Sequence, residues 1–446
     1  MPACSQPFEL RRRPHWFCLA APVDCQPTEA PDVFVEMSGT ESECDASSVS
    51  SGWVMAFANA GHLYTHIFML LYATAVLFLP SVFDVTYGEL LGLSSAGLIL
   101  FGVGAMPAGW LGDRWSKVGM LLIFFFGIGA ATVVVGLAED TATLFIGLSL
   151  LGLFGSIYHP VGIAWLVTCA KRQGLALGVN GVFGNVGSAI APIFVGVMID
   201  YVSWRAAFVI PGVLSIATGV GFAFAWWRGV IGDVHADRAP ASAPAPGSFR
   251  QVFVLLTLTM ACNGLVYTGL MNTVPKVFEG GLGVALAASY TEIGLFAGAV
   301  IGLSSVFSVF GGWLADRYSA RTIYVIFWAL TVPPLFLISS SSGIGLLVVA
   351  LLALSFNVTF AAAENMLVAR HTPFRWRSVA YGFRFLIAFG IGGLTVRFAG
   401  QLYDVSGNFD TLYVVFAVTA VIAAVAAFFL PRARSVTLSE EPAATR

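Results

Sequence analysis

Twelve long apolar segments constrain the fold of this chain more than any other feature of its sequence. Each is near or above the roughly 20 residues that an α-helix needs to cross about 30 Å of hydrocarbon. Membrane β-strands are excluded, because they are about 10 residues long and alternate apolar with polar side chains. We therefore predict an all-α membrane protein with twelve transmembrane helices. The segments cover residues 57–80, 92–111, 118–138, 143–168, 174–199, 204–227, 252–275, 289–311, 322–341, 343–369, 379–403 and 409–430.

Positive charge is scarce, and its placement predicts the orientation of the chain. Only 10% of the residues are charged, whereas an ordinary soluble domain has about 25%. Of the 22 Lys and Arg residues, only Arg205 and Lys276 lie in odd-numbered connections, and Arg384 and Arg397 lie within segments. The other 18 lie in the tails or in the even-numbered connections. Because cytoplasmic loops retain Lys and Arg, we predict a multi-pass inner-membrane protein with both termini in the cytoplasm.

An internal repeat predicts two related halves. GWLGDRWSK at 109–117 recurs as GWLADRYSA at 312–320, and GVMIDYVSW at 196–204 aligns with GQLYDVSGN at 400–408. The offsets, 203 and 204 residues, are nearly constant. A stretch rich in Pro, Ala and Ser separates the two halves, as is typical of a linker. The expected domains are a disordered cytoplasmic tail at 1–52, a six-helix bundle at 53–227, a cytoplasmic linker at 228–251, a second six-helix bundle at 252–430 and a cytoplasmic tail at 431–446.

The duplicated charged phrase resembles the signature of the major facilitator superfamily, a Gly followed by Asp-Arg and then small and basic residues. The resemblance implies the major facilitator fold, with two pseudo-symmetric halves, and transport by alternating access. It extends over about residues 57–430. The matching residues are Gly109, Asp113, Arg114 and Lys117 in the first copy and Gly312, Asp316, Arg317 and Arg321 in the second.

We interpret these two motifs as a cytoplasmic latch that holds the halves together in the outward-open state and releases them on switching. Asp113 ends the second helix, where its carboxylate can accept hydrogen bonds from the N-terminus of a neighbouring helix. Arg114 and Lys117 can bridge to carboxylates or to lipid phosphates, and the glycines permit close helix approach. A purely topogenic role for the cations is the alternative, but it does not account for the repeated Gly and Asp.

Polar residues inside the apolar segments are the candidates for a substrate site, because ionisable groups in a membrane are costly and usually functional. In the superfamily that the chain resembles, helices 1, 4, 7 and 10 line the central cavity. Asn59, His62 and His66 share one face of the first helix. The other candidates are Tyr158 and His159 in helix 4, Asn263 and Tyr267 in helix 7, Asn357, Glu364 and Asn365 in helix 10, and Arg384 in helix 11.

Two points about this site stay open from the sequence. In helix 7, Thr268, Asn272 and Lys276 lie roughly opposite Asn263 and Tyr267; we favour the latter pair for the cavity and assign Asn272 and Lys276 to a periplasmic gate. Each buried polar group also has a structural alternative. In particular, Glu364 and Arg384 can be an ion pair with no role in transport.

The predicted function is secondary active transport of a small polar organic molecule, coupled to protons through Glu364 or His159. No Walker A motif is present, so ATP is not the direct energy source, and no HExxH or GxSxG motif indicates an enzyme. SIYHP in helix 4 and GNVGSAIAP in helix 5 resemble the fosmidomycin-resistance branch of exporters, which implies export.

Two other functions are carried as alternatives. His62, His66 and His159 can supply nitrogen ligands to a divalent metal ion that the protein transports. The chain can also be a non-transporting membrane sensor. For the leading function we expect a monomer that needs no cofactor or resident metal, binds no nucleic acid, and has the substrate, protons and the lipid bilayer as partners.

The latch interpretation predicts that Asp113→Asn impairs transport while the amount of protein in the membrane stays unchanged. Asp316→Asn should impair transport less, because Ala320 replaces a basic residue in the second copy. Transport normalised to membrane abundance measures both effects. A wild-type rate in Asp113→Asn would refute the latch role.

Overall fold

The computed structural model describes residues 50–170, 172–233, 249–372 and 377–431, and all their regular secondary structure is helical. Nearly all of the predicted N-terminal tail, most of the predicted linker and all but the first residue of the predicted C-terminal tail lie outside these residues. Twelve helices are long and apolar enough to cross a membrane. The predicted all-α membrane fold with twelve transmembrane helices is therefore confirmed.

The first half contains helices α1 to α6, and a short helix, Pro80–Phe83, lies between α1 and α2. Helix α4 is continuous but changes type, since a π-helical turn at Tyr158–Gly162 separates its two α-helical parts. The helices are α1 Ser51–Ala75, α2 Tyr87–Arg114, α3 Lys117–Gly136, α4 Thr141–Gly155 with Ile163–Cys169, α5 Gln173–Tyr201 and α6 Ala206–Trp227.

The second half contains helices α7 to α12. Helix α9 ends in a 3₁₀ turn at Ile338–Ser340, and helix α10 is interrupted at Phe360. The helices are α7 Phe249–Gly281, α8 Tyr290–Arg317, α9 Ala320–Leu337, α10 Gly343–Thr359 with Ala361–His371, α11 Arg377–Ser406 and α12 Asp410–Phe428.

Several helices begin at polar capping residues, and α2 and α4 therefore start before their apolar segments do. The side chain of Thr86 accepts a hydrogen bond from the backbone N–H of Glu89 at the start of α2. Ser289 and Glu292 form a reciprocal capping box at the start of α8. Asp140 caps α4, and the hydrogen bond from the Thr143 backbone holds the pKa of Asp140 below its usual value.

Pro160 accounts for the π-helical turn in α4. Proline has no backbone N–H and its ring crowds the preceding turn, so the regular α-helical hydrogen bonding cannot continue through it. Helix α2 packs against this turn through the first charged motif: a Cβ at Gly109 would lie 3.2 Å from Pro160, and one at Gly112 would lie 2.9 Å from Val161.

The second charged motif packs differently from the prediction. A Cβ on Gly312 would have no atom within 4 Å, so close helix approach does not depend on this residue. The neighbouring Gly311 has that role instead, because a Cβ there would overlap the backbone carbonyl of Thr359 in α10. The two copies therefore share their sequence but not the register of their close contact.

The two halves meet most closely at the end of the bundle formed by the odd-numbered connections, which we call the odd end; the opposite end is the even end. Asp200, at the end of α5, accepts a hydrogen bond of 2.7 Å from the backbone N–H of Thr291 in α8. Asp404, at the end of α11, accepts one of 2.8 Å from the backbone N–H of Gly88 in α2. Each aspartate thus caps the first turn of a helix in the opposite half, where the helix dipole favours negative charge.

Glycines one turn before these aspartates allow the halves to touch backbone to backbone. A Cβ at Gly196 would overlap the carbonyl oxygen of Tyr290, and one at Gly400 would overlap that of Gly88. At the even end the same helix α5 is not packed in this way, since Cβ atoms on Gly178 and Gly181 would have nothing within 4 Å. The halves are therefore closed together at the odd end.

The glycine contact predicts that Gly400→Val destabilises this state by about 1–3 kcal/mol, the usual cost of overpacking. Gly221→Val is the matched control, because Gly221 lies in α6 with no atom within 4 Å of an added Cβ. The thermal midpoints of the purified variants measure the difference. Equal midpoints for the two variants would show that the contact between α11 and α2 tolerates a side chain at Gly400.

Candidate functional site

A pocket lies between the two halves, near the middle of the helices that line it. Its wall combines imidazole, hydroxyl and amide groups with aromatic and aliphatic side chains. Both halves contribute, so a bound molecule would contact both. The lining residues are Thr65, His66, Met69, Leu70, Leu98, Phe101, His159 and Ser188 from the first half and Tyr267, Thr268, Met271, Asn272 and Phe389 from the second.

Helix α7 presents both of its polar faces to this region, which the sequence analysis did not expect. Tyr267 and Asn272 both line the pocket. Asn263 lies beside Asn357 of α10, with 3.4 Å between the Asn357 amide nitrogen and the Asn263 amide oxygen. Lys276 lies nearer the odd end, forms an ion pair with Glu279 and stands over the rings of Tyr87 and Tyr403.

Asn180 of α5 organises the polar groups of the first half. Its side-chain amide donates to the Asn59 side chain at 3.1 Å and bonds with the Tyr158 hydroxyl, which also donates to the Ala58 carbonyl at 2.6 Å. The backbone carbonyl of Asn180 accepts from His62 Nδ1 at 2.7 Å. Asn59 and Tyr158 are buried in this network and do not line the pocket, so they support the histidines.

Three histidines converge between α1 and α4. The ring centroids of His62 and His66 are 4.9 Å apart, and those of His159 lie 5.3 and 5.6 Å from them. His66 also bonds through Nδ1 to the Ser188 hydroxyl at 2.9 Å. His66 and His159 reach the pocket wall, whereas His62 lies behind them.

An ion pair dominates the second half. The fully buried Glu364 of α10 accepts from Arg384 Nε at 2.6 Å with one carboxylate oxygen and from the Tyr324 hydroxyl at 2.8 Å with the other. Arg384 donates a further bond of 2.9 Å to the Asn365 side chain. Both charges therefore have hydrogen-bonded partners, which buried charges need.

Stacked rings connect the two polar clusters. Phe385, the residue after Arg384, stacks on the His159 ring with 5.2 Å between ring centroids. Phe385 and Phe389 lie in the same helix, and Phe389 packs against Phe101 of α2 with a centroid distance of 4.6 Å. The predicted polar residues thus form two clusters, one in each half, that face each other through aromatic side chains.

Sequence analysis missed several residues of this site. Asn180 could have been identified from the sequence, because the repeat offset of 204 residues aligns it with Arg384. Tyr324 lies 40 residues before Glu364 in a different helix, and no spacing rule brings them together. Ser188 is a small polar residue of a kind common in membrane helices, and nothing in its sequence context distinguished it. Thr268 was named, but on the face of helix 7 that was not favoured for the cavity.

The charged side chains of the two motifs contact only their own halves, as far as the described residues extend. Lys117 lies 3.5 Å from Asp113, and Arg114 stands over the ring of Trp110 in its own helix. In the second copy, Arg317 stands over the Trp313 ring and Arg321 bonds to the carbonyl of Phe428, while Asp316 is exposed. The latch is predicted for the outward-open state, and in the present state, which is closed at the odd end, the described motif residues do not bridge the halves.

The comparison with protein families identifies the class. The model of the Major Facilitator Superfamily matches residues 53–288 and 256–446, and the chain therefore belongs to this superfamily. It is a multi-pass membrane protein, and its superfamily is one of transporters and not of enzymes. The resemblance noted in the charged motifs is thus confirmed at the level of the superfamily.

The curated proteins that resemble this chain match only part of it, at identities below 30% for the two described next. The chain is 28% identical over 173 residues to the tetracenomycin C resistance and export protein of Streptomyces glaucescens, covering 38% of this chain and 30% of that protein. It is 27% identical over 263 residues to a probable sulfoacetate transporter of Cupriavidus necator, covering 52% of this chain and 59% of that protein. The matched region is therefore less than two thirds of either relative.

Solved structures agree in fold over most of the chain. A bacterial homologue of the human lysosomal transporter Spinster superposes with a TM-score of 0.70 at 15% identity, covering 84% of this chain and 96% of the other. The D-xylose-proton symporter superposes with a TM-score of 0.67, also at 15% identity, over 86% and 99% of the two chains. These likenesses establish the twelve-helix transporter fold.

The hydrogen bonds of Asn180 predict that Asn180→Ala lowers stability by about 1–3 kcal/mol, since its polar partners stay buried with fewer bonds. Thr419→Val is the control, because the Thr419 hydroxyl bonds only to the Val415 carbonyl of its own helix. Thermal unfolding of both variants in the same detergent measures the effect. An Asn180→Ala midpoint no lower than that of Thr419→Val would contradict the assignment of Asn180 as the centre of this network.

Proposed function

We propose that this chain is a proton-coupled transporter of a small polar organic molecule with an anionic group, and that it moves this molecule outward. The substrate binds in the pocket between the halves and is exposed to each side of the membrane in turn. The chain works as a monomer in the inner membrane, with both termini in the cytoplasm. In this orientation the odd end faces outward and the structure is closed to the outside.

The ion pair of Glu364 and Arg384 is the observation that carries the proposal. A charged pair in a membrane helix bundle is costly to keep, and replacing a buried pair by apolar residues is often neutral or stabilising. Arg384 does not line the pocket in this state, but the next residue, Phe385, stacks on the ring of His159 in the pocket wall. The Arg384 guanidinium therefore lies beside the pocket, and a guanidinium can bind a carboxylate in a two-pronged geometry.

The polar composition of the pocket argues against a purely lipophilic substrate. Each polar group of the wall loses hydrogen-bonding partners when an apolar molecule displaces water from it. Tyr267 and Phe389 provide aromatic surface, and Asn272 and His159 provide donors and acceptors beside it. This mixture suits a small organic molecule with both polar and ring or chain portions.

Proton coupling is assigned to Glu364. Its bond to Arg384 links the charge of Glu364 to the guanidinium that we assign to the substrate anion. The two ligands are then linked through one arginine, and His159 is the second candidate for the proton site.

The direction and the substrate class draw on the relatives. One is named for resistance and export and the other for sulfoacetate, a small organic anion. Together with the resemblance of helices 4 and 5 to the fosmidomycin-resistance branch, they support export of an anionic organic molecule. The two charged motifs then form their latch in the opposite state, in which the even end is closed.

Purified protein screened for thermal stabilisation by metabolites, vitamins and antibiotics identifies the substrate. The stabilising compound should fail to stabilise Arg384→Ala. In liposomes, Glu364→Gln should retain substrate exchange but lose accumulation driven by a pH gradient, because a glutamine keeps the shape of the side chain but carries no titrating proton.

Glu89→Gln is the control for this experiment, since Glu89 is an exposed carboxylate in the first turn of α2. It should accumulate substrate as the wild type does. Accumulation that survives in Glu364→Gln would move the proton site elsewhere. Stabilisation only by large apolar compounds, unchanged in Arg384→Ala, would refute the proposed substrate class.

A further inference from the structure

Three histidines form a cluster between α1 and α4, but only His66 and His159 line the pocket proposed for the substrate. The proposed substrate site therefore does not account for His62. His62, His66 and His159 each offer a ring nitrogen, and these nitrogens all lie within 4.8 Å of one another. No described aspartate, glutamate or cysteine joins them in the group. A set of three converging imidazoles is a ligand set that zinc, copper and nickel accept.

The hydrogen bonds of His62 and His66 fix which nitrogen is free. His62 Nδ1 bonds to the backbone carbonyl of Asn180, which can only accept, so Nδ1 carries the proton. The Ser188 hydroxyl donates to the Gly184 carbonyl and therefore accepts from His66 Nδ1. In both rings the lone pair lies on Nε2, and the other nitrogen is held by an oxygen acceptor, as is usual for histidines that ligate metals.

His159 completes the set from a second helix. The π-helical turn at Tyr158–Gly162 places its ring against those of the α1 histidines, and no hydrogen bond occupies either of its nitrogens within the described structure. Among the described residues, none donates a hydrogen bond to the lone pairs on Nε2 of His62 and His66. An ion between the rings would satisfy all three nitrogens together.

Helix α5 leaves the space that this arrangement needs. A Cβ at Gly184 would lie 2.7 Å from His62 Nε2, so any larger residue there would crowd the nitrogen that carries the lone pair. Nitrogens around a tetrahedral ion at about 2.0–2.1 Å are about 3.4 Å apart, so binding requires the ring nitrogens, which lie within 4.8 Å of one another, to approach by up to about 1.4 Å. Side-chain rotations of that size need no movement of the helices.

We propose that His62, His66 and His159 bind one divalent transition-metal ion of the zinc type, with its remaining coordination position open to the pocket between the halves. The open position follows from the placement of His66 and His159 in the pocket wall. Three neutral ligands leave the charge of the ion uncompensated, so an anion or hydroxide from the pocket completes the coordination. The site belongs to the first half alone and does not depend on Arg384.

Metal titration of the full-length protein, with its purification tag removed and no organic substrate present, tests this inference. Zn²⁺ in a calorimeter should bind at one ion per protein through this site, and Co²⁺ should give the absorption of a tetrahedral ion that Zn²⁺ displaces. His66→Ala should abolish this signal. His371→Ala should not, because His371 lies at the end of α10 and bonds to the Leu367 carbonyl of its own helix.

Ser188→Ala keeps all three ligands and removes only the acceptor that orients His66. It should weaken metal binding by about 10–100-fold, which keeps the inference testable where His66→Ala fails to fold. Unchanged affinity in both His66→Ala and Ser188→Ala, or no tetrahedral Co²⁺ signal in the wild type, would overturn the site. Arg384→Ala should bind metal as the wild type does, so the metal site can be confirmed even if this variant no longer binds substrate. Conversely, a wild-type protein that binds no metal would refute the metal site but not the proposed transport function.

Discussion

Two carboxylates that cap helices of the opposite half hold this structure in its present state. Asp200 and Asp404 each accept a backbone hydrogen bond across the boundary between halves. Glycines one turn earlier let the helices come close enough for these bonds to form. The two contacts occupy equivalent positions in the sequence repeat. They therefore close the α5–α8 contact and the α11–α2 contact of the odd end in the same way. The pocket lies beyond this closed end, where the halves face each other across polar side chains.

The remainder of the site follows from the need to satisfy polar groups away from water. Each half encloses a cluster whose members bond mainly to one another: Asn180 serves the histidines of the first half, and Tyr324 serves the ion pair of the second. Arg384 is bonded to Glu364 and Asn365, whereas no described residue donates a hydrogen bond to Nε2 of His62 or His66. The rings of His159 and Phe385 join the two clusters across the boundary.

Sequence alone predicted the fold because twelve apolar segments and a repeat of constant offset leave few alternatives. It also identified His62, His66 and His159, since helical spacing puts the first two on one face. It could not predict that Asn59 and Tyr158 face Asn180 and not the pocket, because helix rotation depends on packing between segments far apart in the chain. The exchange of roles between Gly312 and Gly311 has the same origin. The second charged motif keeps the residues of the first, but its helix packs on α10 in a different register.

Distances between spin labels at the two ends of the bundle test most directly whether the halves rock about the central pocket. In a background without native cysteines, labels at Leu175 and Val309 report on the even end, and labels at Tyr201 and Val284 report on the odd end; all four side chains are exposed. Adding the substrate should populate a state in which the odd-end distance increases and the even-end distance decreases. Two distances that stay fixed, or that change in the same direction, would contradict alternating access about this site.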